Sequence, residues 1–446
     1  MFSAFEAIRL RCVALQRLAC SLAPAALLAR WPRGWGLAAL CSGESGRHGR
    51  WSIFARPRQR LSELQAQERL ARPLSTHTCN DASPPFTGGL IGAIAYDFGA
   101  TFEPRVGPSP EGGPGGPRMV WFDCPDALVF DHARETWWRV GEAEWPEPGP
   151  HEPGQWVAGG LKSLTRRTGY EIGVARALEY IRAGDVYQVN LAHRLCAAFA
   201  GDPRALFQAM LSHARPWYGA YLEWQDAGVE RRLLSQSPEL FLEVDGPGGT
   251  IQTRPMKGPR RPGEHRALEA SPKDRAELAM IVDLMRNDLG RICRLGSVQV
   301  LAPRELEQHG QGAGAILQAT ATVQGSLPAG CSGWEILRAT FPGGSVTGAP
   351  KIRAMQIINE LEPESRGFYC GAIGFVSNSG HMTFNVAIRT ALVTGEPTPE
   401  GVRGTVSYSV GAGIVADSEP AQEWDETMNK AASFAHVLAS ESEQTP

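Results

Sequence analysis

The 446-residue sequence predicts an α+β fold, with a β-rich N-terminal region (1–155) leading into a larger mixed α and β region (160–440). Three observations carry this expectation. Between Arg118 and Trp138 apolar and polar residues alternate, with many aromatics, at the period of half-buried strands. From about Thr168 onward, longer helix-like segments alternate with strands. No repeat of roughly 20 to 50 residues is present, which argues against a solenoid.

Composition narrows the class without giving a function. Apolar residues make up 43% and charged residues 20%, enough to bury a large core and too apolar for general disorder. A net charge of −3 lacks the basic excess of a dedicated nucleic-acid binder. Nine scattered cysteines contain no C-x-x-C pair, so neither a zinc site nor a disulfide framework is signalled and a reducing compartment is expected. The first sixty residues hold ten arginines, no lysine and only Glu6 and Glu44, a composition that superficially suggests a transit peptide. However, Trp51-Ser52-Ile53-Phe54 already reads as a folded strand, so the expectation is a cytoplasmic chain. The apolar stretch Leu18–Ala29 has twelve residues, too few to cross a bilayer.

Along the chain, Gly107–Pro117 and Pro146–Gly154 read as loops or linkers. Gln252–Gly263 is simplest as a solvated basic loop, with a nucleophilic Lys257 as the sharper alternative. Ser271 predicts an N-cap and Pro272 the first helical residue. Asp274 then complements the helix dipole and Glu277 shares its face. Phe341–Lys351 nearly resembles a P-loop, but Ala349-Pro350 replaces the required Lys-Ser/Thr. A helix from Pro350 is expected, and the glycine-rich entry is either an anion cradle or a plain turn. Val406–Ala416 imitates a dinucleotide fingerprint, yet only thirty residues follow and no second strand can complete a Rossmann unit. Glu423 and Glu426 follow a helix start at Ser418-Glu419-Pro420, and a surface pair of Glu426 with Lys430 would explain that spacing. Brought together, carboxylates from these two helices would suit Mg²⁺.

In order, several segments match one family: AGDVYQVNL (183–191), SPELF (237–241), RPMKG (254–258), DRAE (274–277) running into IVDLMRND (281–288), and FPGGSVTGAPK (341–351). IRT (388–390), GAGIVADS (411–418) and EWDET (423–427) close the set, and PFTGGLIG (85–92) extends it toward the N-terminus. With these motifs the chain resembles the chorismate-utilising enzymes, and among them aminodeoxychorismate synthase component I. The resemblance implies two packed, mainly antiparallel sheets flanked by helices in α/β/β/α layers, the two regions forming one intertwined unit. It implies chorismate as substrate and Mg²⁺ as cofactor, with Glu277 and Glu426 as ligands and Asp274 and Glu423 in or beside the shell. Arg389 resembles the residue that clamps a substrate carboxylate. Tyr369, Lys430 and the backbone at Gly411 and Gly413 look like further carboxylate contacts, and Ser345 and Thr347 like loop contacts.

The same resemblance assigns chemistry. Lys257 stands where anthranilate synthases typically carry alanine. In the aminodeoxychorismate enzymes this lysine is thought to attack ring carbon C2 as the C4 hydroxyl leaves, after which ammonia attacks C4 and expels it. Glu239 is the candidate acid, and later the base that deprotonates ammonia. Gln188 occupies the position at which isochorismate and salicylate synthases place a lysine that activates water, so water is not the expected nucleophile. Two departures stand out: Gln318 where the family often has histidine, 27 residues before Ser345, and Pro259 where threonine is usual. Gln318 can hydrogen-bond the C4 hydroxyl but cannot act as an imidazolium acid, which shifts weight to Glu239. The chain carries no glutamine amidotransferase signature, so glutamine-dependent activity implies a separate subunit delivering ammonia. No nucleic-acid or membrane partner is expected. Anthranilate synthase component I is the enzymatic alternative, and a non-catalytic chorismate-binding homologue is a remote one.

Overall fold

The computed structural model describes residues 14–43, 48–75, 83–146, 154–246, 249–310 and 315–440. Two antiparallel sheets organise them. The first runs Leu15–Leu18, Thr136–Val140, Ala127–Asp131, Trp51–Ala55, Ala38–Cys41, Tyr218–Asp226, Val229–Ser237, Thr390–Thr398, Gly401–Ile414, Gln188–Gly201 and Lys162–Ser163. Two short strands, Trp156–Ala158 and Gly348–Ala349, also pair with Gln188–Gly201. The second runs Met256–Arg260, Ile316–Ser326, Thr250–Arg254, Leu240–Asp245, Met382–Val386, Ala372–Ser377, Gly89–Ile94, Met119–Cys124 and Gln59–Leu61, with Gln299–His309 added beside Ile316–Ser326. Both sheets therefore take strands from the N-terminal and the C-terminal parts of the chain.

Strand alternation builds the layers. In the first sheet Tyr221 and Leu234 point to an apolar cluster with Leu27, Phe207 and Phe434 of the covering helices. Their neighbours Ala220, Leu222 and Leu233 point instead to a cluster shared with Ile91, Ala93, Val120 and Phe375 of the second sheet. Leu90 and Ile94 face outward against Val174, Leu278, Ile336 and Ile357 of the remaining helices. The order is helix, sheet, sheet, helix, as expected. Fully buried aromatics such as Phe54, Trp121 and Phe384 contribute about 1.5–3 kcal/mol each by leaving water.

Local expectations are met closely. Ser271 caps the helix Pro272–Gly290, its hydroxyl accepting from the Asp274 N–H at 3.2 Å. Met119–Cys124, Ala127–Asp131 and Thr136–Val140 are the strands expected between Arg118 and Trp138. Residues 107–117 form a loop, and the second expected linker lies largely outside the described residues. One boundary is corrected: Pro350 is the N-cap, and the helix runs Lys351–Leu361. The extended backbone of Pro350 is held by pairing of the preceding Gly348–Ala349 with Val189 and Gln188. Seven described cysteines are all unpaired, and no helix among the described residues is long and apolar enough to cross a membrane.

Candidate active site

The sheets bring Lys257 to the centre of a polar site. It lies on Met256–Arg260, where Gly258 takes a left-handed φ of 68°. A Cβ there would come within 2.8 Å of Asp274 Cγ and Leu268 Cδ1, so only glycine fits the bend that follows the lysine. Lys257 Nζ stands 3.5 Å from Glu277 on the helix Pro272–Gly290. Across the site, a Cβ on Gly413 would fall 3.2 Å from Lys257 Nζ and 3.3 Å from Gln188 Nε2. The absence of that atom leaves lysine, glutamine carboxamide and bare backbone around one space. Gln188 is fully buried, and neither its Oε1 nor its Nε2 has a partner. Such groups are costly unless a ligand or water satisfies them.

Glu239 is fixed from both sides. Its carbonyl accepts from the Val386 N–H at 3.1 Å, while its own N–H donates to Ser237 Oγ at 3.2 Å. Burial raises its carboxyl to about 7, against a hydrogen bond from Ser345 and the field of Lys257, which oppose the rise. Ser345 thus joins the site through Glu239. Thr347 does not present its hydroxyl: that group is fully buried and spent on the Gly343 and Gly344 carbonyls, at 3.1 and 3.3 Å, so it shapes the loop.

The helix Pro420–Ala439 supplies the next acids. Lys430 Nζ bonds Glu426 at 2.7 Å and the Gly411 carbonyl at 2.8 Å, tying helix to strand. Burial alone would raise Glu426, but Lys430, with Lys257 and Lys273 nearby, holds it below the usual range. Burial raises Glu423, which accepts a 2.6 Å bond from Ser418 Oγ, and the Glu426 charge raises it further. These hard carboxylate oxygens, on two helices and repelling one another, have the chemistry that suits a divalent cation such as Mg²⁺. As the side chains stand, no three described acids converge on one point, and Glu277 and Glu426 are neutralised by lysines instead. The Asp274 carboxylate accepts from Arg260 at 2.7 Å beneath the Gly258 bend.

Tyr369 and Asn190 border the same space: a Cβ on Gly411 would lie 3.1 Å from Tyr369 Oη and 2.9 Å from Asn190 Oδ1. Arg389 has a left-handed φ of 51° and no ion-pair partner among the described residues. Burial lowers its pKa, opposed by Tyr408, and the planar guanidinium has the geometry to take a carboxylate in two hydrogen bonds. Gln318 is buried opposite Glu307 in the strand register, one position from Ala319, the partner of Lys257. Its Oε1 makes no hydrogen bond, and no described contact joins it to Lys257 or Glu239.

Lys273 and Asn190 were not singled out from the sequence, although Asn190 sits inside the 183–191 motif and Lys273 directly precedes the 274–277 motif. Lys351 was also missed: it donates to Asp288 at 2.6 Å and to the Thr340 carbonyl at 2.8 Å, pinning the glycine-rich loop between two helices.

The sequence matches the chorismate binding enzyme family over residues 25–436. The chain belongs to that family. Other chorismate binding enzymes share much of its length. Aminodeoxychorismate synthase component 1 of Escherichia coli is 37% identical over 365 residues, covering 78% of this chain and 76% of that protein. Anthranilate synthase component 1 of Thermus thermophilus is 36% identical over 389 residues, covering 82% and 79%. Among solved structures, anthranilate synthase component I of Streptococcus pneumoniae superposes with a TM-score of 0.72 at 28% identity, covering 94% of this chain and 98% of that one. The menaquinone-specific isochorismate synthase of Escherichia coli shares the fold, with a TM-score of 0.71 at 19% identity. Both sheets and their helical layers are thus a chorismate binding enzyme fold.

Proposed function

We propose that the chain aminates chorismate at C4 with ammonia, giving 4-amino-4-deoxychorismate for p-aminobenzoate and folate synthesis. The observation that carries this reading is the Lys257 amine, 14% exposed, facing the unpartnered Gln188 carboxamide across Gly413. The Lys257 side chain is thereby held against the proposed substrate space, and no lysine stands at position 188 to activate water. In this reading Lys257, as the neutral amine after its ammonium proton is lost to solvent, bonds through Nζ to C2 as the C4 hydroxyl departs as water with a proton from Glu239. Ammonia then bonds to C4, Lys257 is expelled, and Glu239 takes the excess proton. Its carboxyl, pushed up to about 7, suits both transfers near neutral pH. Arg389 would pair with one substrate carboxylate. Lys430, Tyr369 and Gly411 would border the other.

Glu277, Glu423 and Glu426 would hold Mg²⁺, which would supply positive charge to an anionic substrate. The ammonia would come from a separate glutamine amidotransferase subunit, and unpaired cysteines fit a cytoplasmic setting.

Relatives named for aminodeoxychorismate and for anthranilate synthesis match at similar identity, so product identity is the test. Purified protein with chorismate, Mg²⁺ and ammonium is expected to yield 4-amino-4-deoxychorismate by chromatography and mass spectrometry. Fluorescent anthranilate as the main product would overturn the assignment in favour of anthranilate synthase chemistry.

A further inference from the structure

His193 lies on the strand Gln188–Gly201, opposite Val410, and is 4% exposed. Its ring is held on all sides. Nδ1 is 2.8 Å from Ser163 Oγ and Nε2 is 2.8 Å from Thr427 Oγ1. One face stacks on Trp424, centroids 4.7 Å apart and planes at 15°. Tyr170 meets both rings edge-on, at 5.1 and 5.7 Å.

Trp424 and Thr427 are three residues apart on the helix Pro420–Ala439 and so share one of its faces. Each directly follows a carboxylate, Glu423 or Glu426, so both acids lie about 100° around the axis from the gripped pair. Holding Trp424 and Thr427 therefore fixes the rotation at which both acids are presented. Further along the helix, Lys430 to the Gly411 carbonyl at 2.8 Å and the Phe434–Tyr408 stack at 4.3 Å hold it to the sheet, while beside the acids Arg167 to Asp425 at 3.1 Å joins half-exposed side chains and constrains rotation weakly. Burial lowers His193 to about 4, so the ring is neutral and carries one N–H, while the Ser163 and Thr427 hydroxyls also reach the Thr165 and Trp424 carbonyls, at 2.8 and 2.7 Å.

We propose that His193 is a positioning residue: through Thr427 and Trp424 it sets the orientation of Glu423 and Glu426, and so the affinity of the site for a divalent cation. This rests on the metal reading above. It is separable from that reading by measuring Mn²⁺ binding directly, since free aqueous Mn²⁺ gives an EPR sextet that is lost on binding. Wild-type protein is expected to bind Mn²⁺, and His193→Ala to bind it roughly tenfold more weakly or worse while still unfolding cooperatively. His193→Gln can restore the reach of Nε2 to Thr427, whereas His193→Asn restores only the reach of Nδ1 to Ser163. Rescue by glutamine and not asparagine is expected, because a merely structural role would move melting temperature and leave the Mn²⁺ titration alone. Thr427→Val should weaken binding similarly, and it carries the test if His193→Ala does not fold. Wild-type affinity in His193→Ala or in Thr427→Val overturns the proposal alone. A wild-type chain that binds no Mn²⁺ overturns the metal reading and the proposal with it.

Discussion

Lys257 and Glu239 divide the proposed work by charge and environment, and each makes a prediction. Lys257→Ala removes the nucleophile and leaves Arg389, Lys430 and the bare backbone at Gly411 in place. Aminodeoxychorismate formation should fall to background, while chorismate binding by calorimetry changes little; unchanged turnover would exclude a covalent role. Glu239 is protonated at pH values where an ordinary carboxyl, near 4.5, is ionised. The folded chain therefore holds a proton that the unfolded chain has lost, stability falls as pH rises between about 4.5 and 7, and the acid form disappears above about 7. Glu239→Gln should lower the rate about 10²- to 10⁴-fold, flatten the alkaline limb of the pH–rate profile and remove this part of the stability slope, read by urea unfolding at pH 5 and pH 8. The motifs made Lys257 and Glu239 legible as residues. They could not show that Thr347 turns its hydroxyl into its own loop, or that Asp274 is claimed by Arg260. Those outcomes depend on side-chain partners remote from any motif spacing.

Among elements, the glycine-rich loop depends on one ion pair beneath it. Asp288 is buried and the Lys351 side chain is only 11% exposed, so removing one leaves the other largely uncompensated. Lys351→Met should cost about 3–5 kcal/mol in denaturant unfolding, and adding Asp288→Leu should recover much of that loss. A single-variant cost equal to that of the double variant would show that the charge is not the cause. The helix starts at Ser271-Pro272 and Glu419-Pro420 were legible because capping is settled within four residues of chain. The start at Lys351 was misplaced by one because a cross-chain pairing of Ala349 with Gln188 holds Pro350 extended. Pairing partners of the strands were not legible at all from periodicity, which reports which face is buried and not against what. Within the nucleotide-like run Val406–Ala416, Gly411 is required by the Leu191 carbonyl, 2.7 Å from where its Cβ would stand, and Gly413 by the side chains of Lys257 and Gln188.

For the whole molecule, the two sheets matter as a single frame, since Lys257 reaches the site from one and Gln188 from the other, with the acids Glu277, Glu423 and Glu426 coming from two helices packed on them. With glutamine alone the purified chain should make no product, and with ammonium it should; glutamine-driven turnover by the chain alone would overturn the separate-subunit reading. The layered architecture was legible only through family resemblance, since strand and helix periodicity reach no further than a mixed fold. One feature of that frame bears on how the protein is made. Gln188–Gly201 has its full-length partner only in Gly401–Ile414. At ribosomal speeds of about 5–20 residues per second, the earlier strand waits roughly 10–40 s for the later one. During biosynthesis that edge stays open to other chains, and the yield of soluble enzyme should depend on chaperone supply more than the finished protein's stability would suggest.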